Sequence, residues 1–332
     1  MPVNALRAPF PWFGGKSRAA HLIWERFGDV ANYIEPFAGS LAVLLSRPTE
    51  PRIETVNDLD CNVANFWRAT KTDPEAVAKW ADWPVNEADL HARHRWLVEN
   101  LPAHREKMMR DPEYFDAKIA GWWVWGLCQW IGTGWCVERG SPSQRGHGHS
   151  LFDGRTPSLP IQIPHLGNAG MGIHRQIPHL GNAGRGGLVA VFADLARRLR
   201  SVRVACGDWA RVLGDSVTWR HGITGILLDP PYSEGEMEYA TTSDGVSAAV
   251  GTWARDNGDH PLMRIAVCGL DGEHSLPGWE CVAWKARGGY GSQRADGSND
   301  NRKRERIWFS PACLRPDKGQ LALLEPGLCP TP

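Results

Sequence analysis

Asp229-Pro230-Pro231-Tyr232 brings a carboxylate, two consecutive prolines and an aromatic face into one short segment. That set suits an amino group on a conjugated ring, which is a poor nucleophile because its lone pair is delocalised. Asp229 and the carbonyl of Pro230 could both accept hydrogen bonds from such a group, favouring its pyramidal form and stabilising positive charge that develops on nitrogen. Pro230 and Pro231 fix φ and remove backbone donors, so the turn can hold its carbonyls with little reorganisation. Tyr232 offers a flat face on which an extruded base can stack. The plain alternative is an ordinary turn after a strand.

A cofactor for this chemistry needs its own site. Glu35-Pro36-Phe37-Ala38-Gly39-Ser40 reads as a strand-to-helix turn of the kind a nucleotide-type cofactor crosses, with Gly39 permitting close backbone approach. Glu35 could hold a cofactor amino group, Phe37 lies in the same turn, and the following helix N-terminus favours a carboxylate. A simple tight turn is the alternative here. Asp58, nineteen positions after Gly39, is placed to hydrogen-bond a ribose diol or, alternatively, to cap the next helix. Gly14-Gly15-Lys16-Ser17 suggests a phosphate loop, but Phe10 and Pro11 stand where its first glycine belongs and no strand precedes it. Trp12 to Ser17 can still form a glycine-rich helix start that binds a carboxylate, with Lys16 as counter-ion.

These residues require an α/β frame. A helix is predicted over 18–27 with Ser17 as its cap, followed by a strand at Tyr33-Ile34 and a buried helix over Leu41 to Leu45. A second strand runs from Arg52 to Val56 and ends at Asn57-Asp58. From about residue 70 strand signals give way to helical stretches rich in tryptophan, including Trp80, Trp83, Trp96 and the run from Gly121 to Trp130. Between Gly132 and Gly187 the chain is rich in Gly and His, and the segment Gln162 to Gly170 recurs as Gln176 to Gly184. Two copies are too few for a solenoid, so a duplicated loop is expected. The α/β pattern returns with a helix over Leu188 to Leu199 and strands at 202–206, 225–228, 264–268, 280–284 and 305–309. The tail after Pro311 is expected to be dispensable. The resulting division is a Rossmann-like α/β core from 1–70 and 188–315, an inserted, mainly helical and loop-rich domain at 71–187, and a tail at 316–332.

Lys plus Arg (37) balance Asp plus Glu (37) over 332 residues, so nucleic-acid contacts must come from local basic patches. The eight cysteines form no C-x-x-C pair, which fits reduced cytosolic thiols and argues against structural zinc. His165, His174 and His179 lack a firm fourth ligand, so no metal is expected. No signal peptide is expected, and the apolar stretch Ile119 to Ile131 falls short of the roughly 20 residues that span a bilayer.

In order, Trp12-Phe-Gly-Gly-Lys16, Glu35-Pro-Phe-Ala-Gly39, Asn57-Asp58, an insertion and Asp229-Pro-Pro-Tyr232 together resemble the Dam-like class of DNA adenine-N6 methyltransferases, many of them encoded by phages. The resemblance covers residues 9–68 and about 188–311. It implies a Rossmann-like methyltransferase core and S-adenosylmethionine as methyl donor, leaving S-adenosylhomocysteine. It further implies no metal, a DNA partner that is double-stranded, and an adenine flipped to Asp229 and Tyr232. Trp12, Lys16, Asp58 and Asp229 should then line the cofactor site, and Gly207-Asp208 resembles the family's acid near the cofactor adenine. A cytoplasmic, nucleoid-associated enzyme of the restriction-modification type follows from the same resemblance. The insertion departs from it: Trp130-Ile-Gly-Thr-Gly-Trp135 stands where the family has an Asn-Gly loop, and Glu234, Glu236 and Glu238 follow the catalytic motif. DNA contacts are expected from Arg175 and Arg185 beside the repeat, with Asn168 and Asn182 at equivalent places, and from Lys285, Arg287, Arg302 and Lys303. The rivals are methylation of cytosine at N4, for which Asp rather than Ser at 229 is less suited, and a catalytically silent DNA-binding relative.

Overall fold

Period-two alternation in the strands decides which side chains meet which helices. The computed structural model describes residues 6–10, 12, 15–84, 86–130, 135–136, 187–232, 245–284 and 304–316. Its strands are β1 (Asn32–Glu35), β2 (Ile53–Asp58), β3 (Val202–Cys206), β4 (Thr224–Leu228), β5 (Met263–Leu270), β6 (Glu280–Ala283) and β7 (Glu305–Phe309). Its helices are α1 (Ala20–Phe27), α2 (Ala42–Leu45), α3 (Cys61–Thr72), α4 (Pro74–Ala81), α5 (Glu87–Arg110), α6 (Ala117–Gln129), α7 (Gly187–Leu199) and α8 (Val246–Asn257). Tyr33, Leu227, Ala266 and Ile307 point into one apolar layer, while Ile34, Ile226, Val267 and Trp308, each one residue along, point into the other. Helices α1 to α7 contribute to the first layer; α8 and a tight turn at Trp209–Val212 fill the second.

All seven strands form one sheet in the order β3-β2-β1-β4-β5-β7-β6. The first five pair in parallel, and β7 runs antiparallel to both β5 and β6. This is the Rossmann-like α/β architecture expected from the sequence. Strand β4 is buried along its whole length, as a parallel strand covered on both faces requires, whereas β6 at the edge alternates between half-buried and exposed.

The tryptophan-rich helices use their indoles for packing and for holding cations. Phe10 packs on Phe66, Trp67 and Trp123, which joins the N-terminal segment, α3 and α6 in one core. Arg93 of α5 lies over the rings of Trp83, Trp122 and Trp125, at 4.2 Å from the last centroid, and Lys118 lies over Trp96 and Trp122. Helix α7 is fastened to the sheet by Arg198, which donates to both oxygens of Glu54 on β2 (2.6 and 2.9 Å) and to the Leu44 carbonyl.

Two local expectations are corrected. Ser17 does not cap the first helix, which begins at Ala20 behind Ala19 with no side-chain cap; the three residues before it form a turn instead. The chain after Pro311 is not spare as far as it is described. Cys313 is buried, and the Leu314 N–H donates to the Arg26 carbonyl at 2.8 Å, so this segment satisfies an otherwise orphan acceptor at the end of α1.

Candidate active site

The sheet order reverses between β1 and β4, and open α/β sheets bind ligands outside the carboxyl ends of their strands at such a point. Four acids follow the carboxyl ends of four neighbouring strands: Glu35 on β1, Asp58 on β2, Asp208 just after β3 and Asp229 just after β4. Asn57 holds two of these ends together, its side-chain amide donating to the Pro36 carbonyl at 3.0 Å and to the Gly207 carbonyl at 2.9 Å.

The turn after β1 is tightly constrained. Gly39 has φ +46°, a conformation that disfavours a side chain, and a Cβ there would run into the indole of Trp12. Its N–H donates to Asp58 Oδ2 at 3.0 Å, and its carbonyl accepts from the Trp67 indole at 2.8 Å. Asp58 also accepts from the Asp60 N–H, and Asp60, not Asp58, caps α3. Burial above all, then the charge of Asp60, pushes the Asp58 carboxyl up to about 7 against the opposing backbone hydrogen bonds. Glu35 points inward: its Oε1 accepts from the Tyr33 hydroxyl (2.6 Å) and the Leu44 N–H (3.2 Å), while Oε2 is buried without a partner among the described residues. Burial raises its carboxyl to about 8 despite those two bonds. Phe37 stacks on Trp209 with ring centroids 6.0 Å apart, and Asp208 caps the turn that carries Trp209.

Lys16 crosses from the start of α1 to the end of β4. Its ammonium lies 2.7 Å from Asp229 Oδ1 and donates to the Tyr232 hydroxyl at 2.9 Å. Lys16 is 3 % exposed, whereas Asp229 keeps 22 % of its side-chain surface open. The cation faces the rings of Tyr232 and Trp284, each 5.4 Å away. Burial opposes the ammonium charge, but Asp229 first, and then Tyr232, Cys268 and Glu305, outweigh it and hold Lys16 well above the usual lysine range. Burial likewise drives Tyr232 well above the usual phenol range, with Lys16 pulling the other way. Lys16 thus pairs with the acid of the Asp-Pro-Pro-Tyr segment.

Of the residues singled out from sequence, Trp12, Gly39 and Asp58 meet at one strand end, and Lys16, Asp229 and Tyr232 at the next. Pro230 is buried and Pro231 half-buried between them. Arg175, Arg185, Lys285, Arg287, Arg302 and Lys303 lie outside the described residues, as do the repeat and the three histidines. Sequence reasoning missed Glu305, Trp284 and Cys268, which surround Lys16 and Asp229. An acid at an inward position of an apolar strand was the available signal for Glu305. Among the described residues no group of three or more His, Cys, Asp or Glu is placed to hold a metal, and no helix is long and apolar enough to cross a membrane.

Residues 12–118 match the family model of the D12 class N6 adenine-specific DNA methyltransferases. That match likens this segment to the D12 class enzymes. The matched segment contains Trp12, Lys16, Glu35, Gly39 and Asp58 and extends through α5 to the start of α6. Asp229 and Tyr232 lie outside it, and the Lys16 contacts join the two. The activity by which that family is described, methylation of adenine at N6 in DNA, is what the match likens the chain to. No curated protein matched the chain.

Proposed function

We propose that the chain transfers a methyl group from S-adenosylmethionine to the N6 amino group of an adenine flipped out of double-stranded DNA. The observation that carries this reading is the 2.7 Å contact between Lys16 and Asp229, which joins the family-matched segment to the Asp-Pro-Pro-Tyr turn at the sheet's switch point. The donor set at the strand ends fits the cofactor. Asp58 and Asp208 are acceptors for amino and hydroxyl groups, and Lys16 is already paired, so a cationic nucleoside suits these ends better than a phosphorylated one. Asp58 has both oxygens engaged by one backbone N–H each, which leaves acceptor capacity for a ribose diol. The constrained Gly39 turn lets a ligand approach the backbone closely. S-adenosylmethionine supplies an activated sulfonium methyl group when bound.

The chain's part is positioning and electrostatics. Lys16 orients the Asp229 carboxylate through Oδ1 before the base arrives, and the carboxylate, together with the Pro230 carbonyl, then takes the adenine amino hydrogens. These acceptors favour the pyramidal nitrogen and stabilise its developing positive charge. The Tyr232 ring, its hydroxyl tied to Lys16, is held in place as a stacking face for the base. Recognition of the DNA sequence is assigned to residues 132–187, because one stacked base reveals little of its neighbours, and the basic stretch from Lys285 to Arg304 is assigned to the phosphates.

Nucleoside mass spectrometry on DNA incubated with the purified chain and isotope-labelled S-adenosylmethionine tests the reading. Labelled N6-methyladenine is the expected product. Labelled N4-methylcytosine would reassign the base, and DNA binding without any transfer would make the chain a silent relative.

A further inference from the structure

Glu305 begins β7 with its side chain on the same side of the strand as Ile307 and Phe309, in the apolar layer. It is 9 % exposed, and its Oε2 is buried without a hydrogen-bond partner among the described residues. The Trp284 N–H donates to the Glu305 carbonyl at 3.3 Å, and the Trp284 ring faces the Lys16 ammonium, so the two residues form one wall of the Lys16 pocket. A buried carboxylate oxygen with no donor is costly, and an apolar residue at this inward position would avoid the cost.

The pocket itself gives the acid something to do. It holds two carboxylates, Asp229 and Glu305, around the single ammonium of Lys16. With the ammonium on Asp229, that carboxylate is a weakened acceptor, although under the proposed reaction it must accept from the base. Lysine's flexible stem lets its charge move between neighbouring partners. Resting on that reading of the active site, we propose that Glu305 is the alternative counter-ion of Lys16, taking the ammonium from Asp229 when the amino group of the base occupies Asp229. Glu305 is thus a positioning residue that acts through Lys16. Burial raises the Glu305 carboxyl above its ordinary value, with Lys16 opposing and Asp229 adding to the rise. The other ionisable groups facing this pocket are Tyr232 and Cys268, the latter hydrogen-bonded to Asp229.

The test uses the full chain with Glu305→Gln and Glu305→Asp, measuring kcat and KM for labelled methyl transfer to plasmid DNA across pH. Glu305→Gln should lower kcat about tenfold while changing KM far less, because the lost contact forms only as the base is engaged. The acid limb of its kcat profile should move to lower pH, and Glu305→Asp should recover much of the rate. Wild-type kcat and an unmoved limb in Glu305→Gln would overturn the inference, as would equal losses in both variants, which mark a structural role. If Glu305→Gln shows no cooperative melt, the Glu305→Asp profile decides: a displaced acid limb supports the counter-ion role and an unmoved limb overturns it. Wild-type transfer beside an indifferent Glu305→Gln removes this inference alone; absence of transfer by the wild-type chain removes the underlying reading as well.

Discussion

Two buried ion clusters join distant parts of this chain, and they differ in how completely their charges are met. Around Glu54, Arg198 binds both carboxylate oxygens, Arg47 adds a third contact at 3.2 Å, and the arginines also donate to the carbonyls of Leu44 and Val30. Around Lys16, one ammonium serves Asp229 and Tyr232 while a second acid, Glu305, keeps an oxygen without a donor among the described residues. The first cluster is saturated and its acid fully buried; the second is under-filled and partly open through Asp229. Saturation ties α7 to β2 and α2, whereas spare acceptor capacity at the switch point leaves room for a ligand.

If that distinction is right, breaking the saturated cluster should affect stability and breaking the open one should affect chemistry. The largest loss of stability at a single pH is expected from Arg198→Ala. It takes the donor from Glu54 Oε2 and leaves the buried charge to Arg47 alone, and should lower unfolding free energy by about 3 kcal/mol in urea titrations, with turnover per folded molecule retained. A loss of turnover without a loss of stability would erase the contrast between the two clusters.

Asp229→Asn should do the reverse. The shape is kept and the charged acceptor removed, so kcat should fall ~10²-fold or more while the thermal melt changes little. Near-normal turnover by the folded variant would remove Asp229 from the reaction.

Glu35 sharpens the comparison through pH. Its folded carboxyl sits at about 8, above the ordinary 4.5, because burial disfavours its charge. An acid raised in this way contributes stability that is fully present below the unfolded value and is lost as pH rises through the folded one. Glu35→Gln carries no such proton, so its stability relative to wild type should improve as pH rises from about 4.5 to about 8, by roughly 3–5 kcal/mol in parallel urea titrations. A constant difference across that range would mean that Glu35 is ionised in its buried site.

The smallest effect is expected at the cofactor end of the open region. Asp58→Asn keeps the side-chain shape and one acceptor oxygen, so S-adenosylmethionine should bind about tenfold more weakly by calorimetry without DNA, roughly 1.4 kcal/mol. Unchanged affinity would place the donor away from β2.

The strands and most helices were legible in the sequence because each is set by local pattern. Tyr33-Ile34, Gly225 to Leu228 and Arg264 to Cys268 are short apolar runs beside turn residues, and all three became buried strands. The Asp-Pro-Pro-Tyr turn, Gly39 and Asp58 were legible for the same reason, since turn chemistry and strand ends are written within a few residues. What the sequence left open was which groups would share a pocket. Lys16 and Tyr232 are 216 residues apart, and only the parallel placement of β1 beside β4 brings the start of α1 against the end of β4. The same holds for Glu305, whose strand runs antiparallel to β5 and so starts with its acid opposite Leu270, at the end where β5 finishes. Charges interact through space, and burial sets how strongly they do so. Sequence alone therefore determined the strands, the turns and the candidate acids, and the tertiary structure decided which acid holds the lysine and which is left to be filled.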